Sequence, residues 1–189
     1  MPNFVTSSMS EKEKVAVTGE IVNRVTGSAL VTLDLEEYYT PGERVILDIK
    51  PWLFQELILK EKDFREHIKS HNWTQYEGKL IAIICSADAI VPTWAYMLVT
   101  IAMQPYAKFV CFGSISDLEI QLYSHALKKI DWQQFNNAKV VIKGCSKVEV
   151  PIATYVEATN HLRPIASSIM FGEPCSTVPL FKKKINQQP

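Results

Sequence analysis

The chain has no excess of charge of either sign: its 189 residues carry 20 Lys and Arg against 20 Asp and Glu. A protein that grips nucleic acid electrostatically shows a basic surplus, so that class is set aside. Cys-x-x-Cys pairs are also missing, and with them the spacing of a zinc ribbon. So are a Walker loop, a GxGxxG, a GxSxG and any defensible Ser/His/Asp order. No Pro-, Gly- or Ser-rich linker divides the chain. The opening residues, MPNFVTSSMSEKEK, lack a basic segment followed by an apolar run, so the expected setting is the cytoplasm, where thiols stay reduced. Hydrophobic residues make up 47% and charged ones 21%, which excludes a wholly disordered chain. A single domain of this length buries about 70% of its unfolded surface and needs no disulfide or metal to have a core.

From residue 79 onward, short β-branched runs alternate with helical patterns. LIAIICS (80–86), KFVCFGS (108–114), KVVIKG (139–144) and SIMFG (168–172) read as buried strands. The apolar stretch 80–103 reaches spanning length, but Asp88 is costly inside a bilayer and Pro92 follows a turn-like Ser-Ala-Asp-Ala, so it reads as strand, turn, helix and no membrane span. Ser116 and Glu119 have capping-box spacing and open a helix expected to reach about Ile130. Pro151 suits a first helical turn, and Pro164 should end that helix. Earlier, IVNRV, LVTLDL and RVILDI look like strands, and 51–71 reads as a helix with a charged second half. The fold class expected is α/β: a mainly parallel sheet flanked by helices, with an N-terminal antiparallel hairpin or edge strands. The expected organisation is a disordered tail over 1–20, a single domain over 21–181 and a flexible basic tail over 182–189.

Three of the four cysteines are followed by serine at a predicted strand end, and each pair precedes a Val-Pro: CSADAIVP (85–92), CSKVEVP (145–151) and CSTVP (175–179). In an open parallel sheet the strand C-termini line one edge, where ligands bind. Thiolates on one zinc at about 2.3 Å lie roughly 3.8 Å apart, and loops from strands about 4.8 Å apart can meet that need. Cys85, Cys145 and Cys175 are therefore candidate ligands for zinc or an iron–sulfur cluster. Asp88 or Glu173 would be the fourth ligand, or a general acid/base beside an open position. Asp48 and Glu149 crowd the same edge. Ser86, Ser146, Ser176 and Gly144 are candidate ligand-binding positions, and Gly144 and Gly172 would let backbone amides approach.

Two other readings stand beside this one. A thiol at a helix N-terminus has a lowered pKa and suits a metal-free thiol enzyme or redox sensor. Cysteine is also a common core residue, and Ser and Pro are ordinary turn chemistry, which suits a binding or scaffold protein. Cys111 is expected in the core. His67 and His71 are four apart on a polar helix end, and His161 should face the opposite edge of the sheet. The apolar helix around Trp94–Met103 needs cover on several sides, by a central position or by a homodimer interface.

EIVNRV, LVTLDLEEYY, DIKPWLFQELILKEKDFR, CSADAIVPTWAYML, VIKGCSKVEVP and GEPCSTVPLFKK together make the chain resemble a family of uncharacterised bacterial proteins, a domain of unknown function. The resemblance covers nearly the whole chain after the N-terminal tail and implies a bacterial, cytoplasmic protein. It brings no activity, cofactor or catalytic residue.

Overall fold

The computed structural model describes residues 30–144 and 146–184. The strands are β1 (Leu30–Asp34), β2 (Arg44–Asp48), β3 (Leu80–Ile84), β4 (Phe109–Phe112), β5 (Lys139–Lys143), β6 (Ser168–Glu173) and β7 (Ser176–Lys182). The helices are α1 (Glu61–Ser70), α2 (Thr93–Met103), α3 (Ile115–Leu127) and α4 (Ile152–Leu162). The architecture is α/β and mainly parallel, as the alternation predicts, but the strands form two sheets. One has the order β2-β3-β4, all parallel. The other has the order β1-β5-β6-β7, parallel except for the final pair.

Pairing is nested: β2 joins β3, while β1 joins β5 more than 100 residues later. β1 and β2 each form a sheet edge and do not pair with one another. Of the two N-terminal arrangements expected, edge strands are the one found. The antiparallel hairpin is at the other end of the chain, between β6 and β7. IVNRV lies outside the described residues.

On one face of the three-stranded sheet, Ile81 and Ile83 pack with Phe64 of α1 and with Ala95, Val99 and Met103 of α2. On the other face, Leu80, Ala82 and Cys111 meet Leu118 and Leu122 of α3. The same helix sends Tyr123 and Leu127 into the core of the four-stranded sheet, with Val140, Ile142, Ile169 and the α4 residues Ala158 and Leu162. Residues 118 and 122 lie one turn apart, and 123 and 127 repeat that spacing five positions further on, so one helix has two apolar faces.

The N-terminus of α3 differs from expectation. Ser114, not Ser116, is the N-cap; its hydroxyl accepts from the Asp117 amide, and Asp117 reaches back to the Ser114 amide. Glu119 is drawn away by Arg44, whose guanidinium forms an ion pair with it at 2.6 Å. The segment 51–71 is α-helical only in its charged half, Glu61–Ser70, with a single 3-10 turn at Lys50–Trp52 in the apolar half. Before it, Phe54 and Ile58 close a tight turn through Gln55 and Glu56, both left-handed. α2 is not central: Met97 and Ile101 on its outer side are exposed.

The first two Cys-Ser pairs lie within a longer repeat with an offset of 59 residues, in which Cys145-Ser146 stands one position later than Cys85-Ser86. Trp73 and Trp132 are 59 residues apart; so are Val91-Pro92 and Val150-Pro151, Tyr96 and Tyr155, Pro105 and Pro164, and Phe112-Gly113 and Phe171-Gly172. The geometry repeats with the same offset. The Gly78 amide donates to the Tyr106 carbonyl and that of Asn137 to Ile165, each at 2.9 Å. The Thr100 hydroxyl donates to the Tyr96 carbonyl and that of Thr159 to Tyr155. The Tyr96 ring meets Phe112, and Tyr155 meets Phe171. The chain is thus a duplicated β-α-β unit, each copy extended by one earlier strand. The third Cys-Ser pair is not a copy. It lies in the β6–β7 hairpin, where Glu173 pairs with Ser176 across Pro174 and Cys175. Pro179 is tolerated in β7 because that strand is a sheet edge with a register shift.

Because α3 closes two cores, truncating it should be costly. Leu122→Ala is expected to destabilise the fold by about 2–5 kcal/mol, read from urea unfolding. A loss under about 1 kcal/mol would mean that α3 is not the shared layer.

Candidate functional site

Each copy of the repeat ends its central strand in a carboxylate clamp. In the three-stranded sheet, the carboxylate of Asp48, the last residue of β2, accepts from the Ser86 hydroxyl at 2.5 Å, the Ser86 amide at 3.1 Å and the Lys50 amide at 2.9 Å. In the four-stranded sheet, Glu36 accepts from the Ser146 amide, from the Ser146 hydroxyl at 2.9 Å and from the Lys147 amide at 2.8 Å. Burial would raise the Asp48 carboxyl, but the Ser86 hydroxyl, the Lys50 and Ser86 amides and the Lys50 charge outweigh it and hold the group below its usual range. Glu36 is lowered chiefly by the Lys147 amide, against some desolvation, with Ser146 and Val148 adding to it.

Around the first clamp, Cys85 is half-buried and lies within electrostatic reach of Lys50 and Tyr96. Lys50 is paired with Glu56 at 3.0 Å, which raises its ammonium. Burial raises the Tyr96 hydroxyl, and the nearby Cys85 and Asp48 add to that. Around the second, Lys143 pairs with Asp34 at 2.9 Å, with Glu173 and Glu36 in range. Gly144 occupies the position of Cys85 in the other copy. A Cβ there would fall 2.6 Å from the Tyr155 hydroxyl, so its small size serves side-chain packing.

The sequence-predicted residues are therefore distributed between two sheets. Cys85, Ser86 and Asp88 belong to the β3–α2 connection of the three-stranded sheet. Gly144 and Ser146 follow β5, and Glu173, Cys175 and Ser176 form the β6–β7 turn, all on the four-stranded sheet. Cys145 lies outside the described residues. Among the described residues no group of three or more His, Cys, Asp or Glu is placed to hold a metal. The single edge expected for three cysteines is replaced by two edges. Ser86 and Ser146 spend their hydroxyls and amides on the chain's own carboxylates, and Ser176 pairs within a hairpin rather than at a strand-to-helix turn. Cys111 is buried in the core, which raises its thiol pKa.

Sequence reasoning missed three surface features. His71, expected on a solvated helix end, sits in an aromatic group with Trp52, Trp73 and Tyr76, where burial lowers its pKa and His67 lowers it further. A hollow of about 370 Å³ between the Phe54–Ile58 turn and the β3–α2 loop is lined by Leu57, Ile58, Asp88, Ile90 and Pro92, and Ile90 is 96% exposed. The signal for it was the apolar half of 51–71, which forms no α-helix to hide in. A groove of about 730 Å³ separates Tyr39–Pro41 from the end of α3 and carries Lys108, His125 and Lys129 beside Glu37 and Asp131. No helix among the described residues is long and apolar enough to cross a membrane.

The first clamp sets a pH signature. Asp48 is lowered in the folded state, so its contribution to stability is full above the unfolded pKa, near 4, and is lost as pH falls through the folded value. Asp48→Asn should flatten the fall in melting temperature between about pH 5 and pH 2. An unchanged acid limb would show that the clamp is not linked to folding.

A family model described as "Protein of unknown function (DUF2480)" matches residues 19–183, nearly the whole chain, and the protein belongs to that family. No curated protein and no solved structure matches it.

Proposed function

We propose that this member of the DUF2480 family is a cytoplasmic binding protein that takes an apolar segment of another protein into the hollow between the Phe54–Ile58 turn and the β3–α2 loop. One observation carries this reading: Leu57, Ile58 and Ile90 are large, exposed and gathered around one concavity. Contiguous exposed apolar surface rimmed by polar groups marks a protein contact. Each such side chain gains about 1.5–3 kcal/mol when it leaves water. The clamps support the same reading from the other side. The serines at the strand ends already have carboxylate partners, which leaves those edges less to offer a small polar ligand. A reducing compartment suits the thiols of the half-buried Cys85 and the exposed Cys175.

Site-specific photo-crosslinking in the native cell tests this. A photoreactive residue at Ile90 should give a discrete adduct that Leu57→Asp abolishes, while the same residue at the exposed Lys62 gives none. Absence of an adduct at Ile90 in folded protein, or equal labelling at both positions, overturns the reading.

A second reading, a metal site, has one observation in its favour. β5, the strand that leads into Cys145, is the neighbour of β6, and Cys175 is exposed in the turn that follows β6 beside Glu173. This version uses the four-stranded sheet and does not need Cys85. Protein purified without oxygen or chelator would carry near-stoichiometric zinc or iron, Cys175→Ser would remove it, and Cys85→Ser would leave it in place. Metal-free wild-type protein sinks this reading.

A further inference from the structure

The duplication shows what one copy has and the other lacks. In parallel pairing, alternate residues of a strand direct both N–H and C=O to the same neighbour. The Phe109 and Gly113 amides donate to Lys79 and Ile83 at 3.4 and 3.0 Å, so the odd residues of β4 serve β3. Val110 and Phe112 therefore turn their backbone groups away from the sheet. Their counterparts 59 residues on are Ile169 and Phe171, and those are paired by β7, against Phe181 and Val178. After Gly172 the chain makes that hairpin; after Gly113 it enters α3 instead. β4 is thus a sheet edge with no covering strand among the described residues.

We propose that the outer edge of β4 pairs antiparallel with β4 of a second copy, about a two-fold axis at Cys111, to join two three-stranded sheets into one of six strands. The strand is self-complementary. With the axis at Cys111, Val110 faces Phe112 of the copy and Phe112 faces Val110, and both hydrogen-bonding residues are satisfied on each side. Both side chains lie on the α2 face: Val110 packs in that core, and Phe112 touches Tyr96 while remaining 63% exposed. An apolar cross-strand pair on that face would cover it. The strand, FVCF, carries none of the charges or prolines that protect exposed edges. A formal net charge of zero removes the long-range repulsion between copies. A foreign strand would satisfy the same backbone groups, but only a copy of β4 supplies the Phe112–Val110 match twice. This surface is separate from the hollow at Ile90 and stands or falls without it.

Light scattering after size exclusion, run over a concentration series, is the test, together with amide hydrogen exchange of the full chain. The expected result is a mass approaching twice 21.4 kDa at about 100 μM, with Val110 and Phe112 amides protected when concentrated and exposed when dilute. Phe112→Lys should raise the dissociation constant at least about tenfold, a change of roughly 1.4 kcal/mol. Exchange of the wild-type protein needs no variant, so a poorly folding Phe112→Lys leaves the question decidable. A monomer throughout the series overturns the proposal. So does a dimer in which the Val110 and Phe112 amides exchange freely, or one in which folded Phe112→Lys associates as well as wild type.

Discussion

Helix α3 has to satisfy two cores at once, and the rest of the arrangement depends on that. Leu118 and Leu122 close the second face of the three-stranded sheet, while Tyr123 and Leu127 enter the core beneath the four-stranded one. A helix with one apolar stripe would cover one sheet and leave the other to water. Having two stripes, α3 can stand between the copies of the repeat, and the Arg44–Glu119 ion pair ties its first turns to the edge strand β2. The pair is only partly buried, so its worth is chiefly geometric: it holds one end of the helix against one sheet while apolar contacts hold the other.

Duplication gives the protein two equivalent strand-end clamps and then lets the copies diverge. Asp48 with Ser86, and Glu36 with Ser146, do the same work with carboxylates of different length. In the 59-residue register Cys85 corresponds to Gly144, where a Cβ would meet the Tyr155 hydroxyl, and the cysteine of the second copy comes one position later, at Cys145. The ends of the copies diverge further, one continuing into α3 and the other into β7. The surfaces around Ile90 and β4 belong to one copy alone.

Much of this was legible from residues in a row. β-branched runs at 80–84 and 139–143 are strands because their side chains suit a pleated, buried surface. Pro92 and Pro151 stand just ahead of helices, where a missing amide costs nothing. Elsewhere two local patterns competed. Ser114-x-x-Asp117 and Ser116-x-x-Glu119 both have capping-box spacing, and the second lost because Arg44, 75 residues away, claims Glu119. The Cys-Ser pairs misled for a related reason. Cys175-Ser176 looks like the others over two residues, yet a two-residue hairpin turn uses the same small, polar chemistry as a strand-to-helix loop.

The sequence by itself determined most of the strands and helices and their apolar faces, because these follow from periodicities and contacts that span a few residues. Only the tertiary structure decided that there are two sheets, that β1 skips β2 to join β5, and that Cys85 is on a different sheet from Cys175. Strand order is a choice among long-range pairings of similar backbone hydrogen-bond energy. Loop closure costs little more for a long loop than for a short one, so what selects among them is which arrangement buries the apolar faces most completely. That burial is a property of the assembled layers, here of α3 meeting both sheets, and no window of the chain contains it.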